Sequence, residues 1–246
     1  MFSLNDKICI IKQPAGLGDI FYLQKIANHY KNLNYDIYWY VISKYMWLKD
    51  YISGINFLDK ETNEIYTPLR NDQTFANIHL NNHIINQEDL TYLPLLFAHV
   101  FFPDHKVLPA KYHWCGIDSE DWAKHIKYKR FENKENELFY NILNLKDDEE
   151  YCLINRNFYM NDKAPIKYSG KLKQIEMNFT DGFTLLDWCK VAENAKEIYM
   201  TDSSLSYILH TLKLKADFVN IYVREEKNLI DYDFLETDKI KLMQLN

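Results

Sequence analysis

The 246-residue chain carries a net charge of −6 from 29 basic and 35 acidic residues mixed along its length, which argues against nucleic acid as a partner. At 47% hydrophobic it can bury a large core, in one domain or two small ones. No run of about eighteen apolar residues occurs and the N-terminus MFSLNDKICI lacks the zones of a secretory leader, so a soluble, cytoplasmic protein without a transmembrane segment is expected. Cys9, Cys115, Cys152 and Cys189 lie far apart without a CxxC pair, a pattern that predicts reduced, buried thiols.

In chain order, KICIIK (7–12) is an apolar, β-branched run that reads as a strand. Gly16 and Gly18, two of only six glycines, share the loop that follows, and Asp19 comes directly after them. Ile20, Phe21, Leu23, Ile26, Ala27, Tyr30 and Leu33 then recur at helical spacing, and YDIYWYVI (35–42) reads as a second buried strand. Strand, helix and strand make a βαβ unit, which implies a parallel sheet. Further strands are expected at GINFL (54–58) and ANIHL (76–80). A packed helix is expected over 90–102 despite Pro94, and an amphipathic one over 134–145, ending at the charged turn KDDEE. There the pattern restarts: YCLINRNF is a strand, FTLLDWCKVAENA a helix, EIYMT a strand, SLSYILHTL a helix and ADFVNIYV a strand. The most economical architecture is α/β, with two Rossmann-like domains, 1–148 and 149–246, facing across a cleft.

Three stretches could carry chemistry, each at the carboxyl end of an expected strand, where parallel sheets bind ligands. In the first, glycine at 16 and 18 permits positive φ and close approach to the backbone, and Asp19 is either a helix cap or a catalytic carboxylate. Dinucleotide binding is disfavoured, because Phe21 stands where the fingerprint's third glycine belongs and Ser43 and Lys44, not an acid, follow the second strand. GxxxxGK[ST] is absent too. In the second, Asp202, Ser203 and Ser204 lead from a strand into a helix, a start that suits either a bound phosphate or simple capping. In the third, NRNFYMNDKAPIKY supplies the cations Arg156, Lys163 and Lys167.

Together PAGLGDIFYLQKI, NDKAPIKY and TDSSLSYILHTL resemble, in order, the GLGD loop, the Asp-Lys-x-Trp-Pro stretch and the Asp-Ser/Thr-Gly-x-x-His helix start of the ADP-heptose:lipopolysaccharide heptosyltransferase family. These are glycosyltransferases of the GT-B type (family 9-like). The chain departs from them in carrying Ser204 and Tyr207 in place of glycine and histidine, in lacking the Trp, and in being shorter. The resemblance implies an inverting, metal-independent transfer from a nucleotide-diphosphate sugar to a glycan, lipid-linked sugar or protein-linked glycan acceptor, with no cofactor beyond the donor itself. It implies Asp19 as general base and Gly16, Leu17 and Gly18 as the acceptor-side loop. Arg156, Lys163, Asp202, Ser203, Ser204, Ser206 and Tyr207 become donor-binding residues, with Lys163 also stabilising the departing diphosphate, while His210 packs or caps. A non-catalytic nucleotide- or sugar-binding relative is the alternative. Because Asn caps helices about as well as Asp, Asp19→Asn is expected to leave the fold nearly intact.

Overall fold

The computed structural model describes residues 7–60, 83–102, 106–157 and 163–245. The chain divides into two units, Met1–Lys129 and Arg130–Asn246, each with its own sheet, of five strands among the described residues.

In the first unit β1 (Lys7–Lys12), β2 (Tyr35–Val41), β3 (Asn56–Asp59), β4 (Ile85–Gln87) and β5 (Leu90–Leu93) pair in the order β3-β2-β1-β5-β4. All pairings are parallel except β4 with β5. β1 is the central strand, and its unbroken apolar run follows from burial on both faces, with Cys9, Ile10 and Ile11 fully buried. Ile10 stands opposite Tyr38 on one side and Tyr92 on the other, which builds one face of the core from aromatic and β-branched pairs. The expected first helix is present in two pieces, α1 (Leu17–Tyr22) and α2 (Gln24–Asn32), joined at Leu23. Beyond its C-cap Leu33 comes Asn34, whose positive φ of 64° suits an Asn just past a helix.

The helix expected over 90–102 is replaced by β5, Pro94 and a short helical stretch from Leu95 to Phe101. Proline disfavours helical geometry in the residue before it, and Leu90–Leu93 instead supplies the second neighbour that β1 requires. GINFL forms β3, while ANIHL lies outside the described residues.

In the second unit β6 (Tyr151–Asn155), β7 (Lys173–Glu176), β8 (Glu197–Thr201), β9 (Phe218–Val223) and β10 (Ile240–Gln244) form an all-parallel sheet in the order β10-β9-β8-β6-β7. KQIE and IKLMQ, which form β7 and β10, escaped the sequence reading because edge strands need little apolar surface. Residues 130–148, read from sequence with the first half, pack in the second unit. Arg130 pairs with Glu135 and, at 2.8 Å, with Glu193, and Lys190 donates to Asn136 and Tyr140 at 2.7 and 2.8 Å. These contacts hold the helix Glu132–Asn136, prolonged by a π turn through Ile142, against the helix Cys189–Asn194.

In both sheets the order in which successive strands are added reverses beside the central strand, between β1 and β5 in the first and between β6 and β8 in the second. Such switch points leave a crevice at the carboxyl ends of the strands. The four cysteines are free, with Cys9, Cys152 and Cys189 buried and Cys115 half-buried. Among the described residues no helix is long and apolar enough to cross a membrane.

Candidate functional site

The loop after β1 is tied to the neighbouring strand β2 and its following residue. Its backbone is anchored from outside, since the Trp39 indole donates to the Gln13 carbonyl at 3.2 Å and the Ile42 amide to the Pro14 carbonyl at 2.9 Å. Gly16, at φ 81°, is the residue that caps α1, and the first helical bond runs to its carbonyl from Ile20 at 3.1 Å. Asp19 therefore sits inside the first turn and makes no side-chain cap bond, so the capping reading does not hold. Its carboxylate lies against the Gly16 main chain: a Cβ at position 16 would stand 2.9 Å from Asp19 Cγ. Positive φ and this close approach both require glycine.

Asp19 Oδ2 accepts from Gln13 Nε2 at 2.9 Å and forms an ion pair with Lys111, whose side chain is 2% exposed. Lys111 belongs to the helix α3 (Val107–Trp114), which is fixed to α1 by the Tyr112 hydroxyl donating to the Tyr22 carbonyl and by the edge-on contact of those two rings at 5.0 Å. Gln13 and Lys111 were not among the residues picked out from the sequence. The available signal for Lys111 was a lone charge in the apolar stretch VLPAKYHW.

In the second unit the switch point between β6 and β8 is bridged directly, because Asn155 at the end of β6 donates to Ser203 Oγ at 3.0 Å. Asn157 continues the network to Asn155 Oδ1, at 3.0 Å, and to the Met177 carbonyl, and its own carbonyl accepts from Thr201. Ser203 caps the helix α4 (Ser204–Leu209) in a reciprocal box with Ser206, which engages both hydroxyls within the helix start. Ser206 is fully buried, so of the expected donor contacts around this turn its hydroxyl is committed to capping. Ser204 is half-buried. Tyr207 is 7% exposed, with its ring 6.3 Å from Phe234.

Asp202 is also turned inward, its side chain 4% exposed and 3.4 Å from Arg224 at the end of β9. Burial pushes its carboxyl up to about 6 against the opposing pull of Arg224. His210, at the far end of α4, is pushed down to about 4 by burial.

Arg156 and Lys163 both reach Glu176 at the end of β7, at 3.1 and 2.6 Å. Arg156 also donates to the Ile166 carbonyl, and Lys163 to Asn178 Oδ1. Lys163 holds the Glu176 carboxyl below its usual range, with Arg156 adding to the effect. Among the described residues two cations thus share one carboxylate beside the switch point. Lys167 is exposed.

No protein-family model and no curated protein sequence matches the chain. Solved structures do. A glycosyl transferase family 9 structure from Veillonella parvula superposes with a TM-score of 0.59 at 12% identity, over 99% of this chain and 88% of that one. The fold is GT-B-like. The iron-containing dodecameric glycosyltransferase TibC from enterotoxigenic E. coli matches with a TM-score of 0.50 at 11% identity, over 90% of this chain and 59% of TibC. Within the GT-B-like fold, the Gly16–Asp19 stretch follows β1, Arg156 follows β6 and Asp202 follows β8, each beyond a strand's carboxyl end.

Proposed function

We propose that the chain is an inverting glycosyltransferase that moves a sugar from a nucleoside-diphosphate sugar to a hydroxyl of a glycan, lipid-linked sugar or protein-linked glycan, without a metal. The observation that carries the reading is that the GLGD loop and the Asp202 turn each lie at a switch point of a GT-B-like fold, one presenting a carboxylate and the other flanked by the cations Arg156 and Lys163. Asp19 receives the proton of the acceptor hydroxyl as that oxygen attacks the anomeric carbon. The second unit holds the donor, and Lys163 with the main chain at Ser203 and Ser204 takes up the charge of the leaving diphosphate. A single displacement inverts the anomeric carbon.

The test is a panel of UDP-, GDP-, ADP- and CMP-sugars, read by thermal shift and by donor hydrolysis with and without glycan acceptors. A stabilising donor that is hydrolysed, at a rate unchanged by EDTA, is the expected result. A donor that binds without turnover would favour the non-catalytic reading, which draws support from Arg156 and Lys163 both being paired with Glu176. Lys163→Ala should weaken nucleoside-diphosphate binding by about tenfold while leaving the bare nucleoside unaffected. Equal losses for both ligands would remove Lys163 from the site.

A further inference from the structure

Lys111 is an ammonium enclosed in the first unit, and such a group needs a counter-charge and acceptors. Both come from the loop after β1: Gln13 Oε1 accepts at 2.9 Å and Asp19 Oδ2 supplies the charge. Gln13, itself 1% exposed, turns its amide nitrogen to the same Asp19 oxygen at 2.9 Å and to the Ala15 carbonyl at 2.7 Å. Oδ2 thus takes two donors, whereas Oδ1 takes none from the described residues, and the Asp19 side chain keeps 25% of its exposure. The carboxylate is held by one oxygen and open at the other.

We propose that Lys111, assisted by Gln13, is a positioning residue for Asp19 in glycosyl transfer, an inference that rests on the transferase reading above. Lys111 fixes Oδ2 and so aims Oδ1 at the acceptor. As the acceptor oxygen bonds to the anomeric carbon, the bond from that carbon to the diphosphate breaks and its electron pair leaves with the diphosphate. The acceptor's proton passes to Oδ1, giving a neutral carboxyl, and Lys111 keeps its own protons throughout. The arrangement also explains why Lys111 sits on a helix locked to α1 through Tyr112: the aim depends on the distance between the two helices staying fixed.

Lys111→Met keeps length and apolar fit while removing the charge. Its kcat should fall about tenfold or more, with donor and acceptor KM each within about twofold of the parent. In an Asp19→Asn background the same change should alter the rate by less than about twofold, because the group it positions is gone. Gln13→Leu, which removes the other donor to Oδ2 and leaves the ion pair, should show a smaller loss of kcat of the same kind, and it serves if Lys111→Met does not fold. Full kcat in both Lys111→Met and Gln13→Leu, or an equal proportional loss from Lys111→Met with and without the Asp19 carboxylate, would overturn the proposal. A wild-type chain that transfers no sugar from any donor gives a different result, the failure of the transferase reading itself.

Discussion

At the scale of single residues, the Asp19 and Lys111 pair changes what substitution at position 19 should do. Because Gly16 caps α1, Asn at 19 gains nothing from its capping ability, and it strands a buried ammonium without a counter-charge. Asp19→Asn should therefore cost about 3–5 kcal/mol, the range for breaking a buried pair from one side, in place of the near-neutral effect expected from sequence. The double variant with Lys111→Met should recover most of it, and urea denaturation of the four forms measures the coupling. An Asp19→Asn protein as stable as the parent would refute the assignment. Gly16→Ala meets two obstacles, a φ of 81° and a Cβ 2.9 Å from Asp19 Cγ, and should lose roughly 1–3 kcal/mol in the same assay and displace the carboxylate. The glycine loop was legible in sequence because its residues are adjacent. Lys111 was not, since 92 positions separate it from Asp19 and only the packing of α3 on α1 brings them together.

At the scale of elements, α4 carries two buried titrating groups at its ends, and their pH dependences oppose each other. Asp202 is neutral in both states below its ordinary 3.8; as pH rises through its folded value of about 6, the unfolded chain ionises first and stability falls. His210 is neutral in both states above its ordinary 6.5; as pH falls through its folded value of about 4, the unfolded chain takes up the proton first and stability again falls. Each effect is on the order of 3 kcal/mol at full extent, so between pH 4 and 6 they largely offset. Relative to the parent, Asp202→Asn should grow more stable as pH rises through that window, and His210→Leu more stable as it falls; thermal melts at several pH values read both. Parallel curves for parent and variant would show that these groups are not held as described. The sequence revealed α4 and both of its flanking residues. It could not reveal that Asp202 turns inward to Arg224, because a Ser/Asp helix start looks the same whether its carboxylate faces ligand or core.

At the scale of the whole molecule, the two-sheet architecture was readable as two successive alternations of strand and helix patterns, but the division between them was not. An amphipathic helix such as 134–145 offers its apolar face to either neighbour, and the choice is made by Arg130, Lys190 and the aromatic contact of Phe139 with Tyr151 at 6.3 Å. Since β6–β10 complete a sheet from residues of the second unit alone, a fragment spanning 130–246 should fold by itself and melt cooperatively, as circular dichroism would check. A fragment starting at residue 149, which lacks that helix and bares the surface it covers, should be markedly less stable. The buried thiols have a practical consequence. Cys9 lies in the central strand of one sheet and Cys152 in β6, beside the central strand of the other, both fully buried, and burial pushes the Cys152 thiol up to about 12. Alkylating reagents can react at either only after that sheet opens. Single-cysteine forms retaining Cys9 or Cys152 would thus act as two internal clocks, timing the opening of each half of the molecule separately within one intact chain.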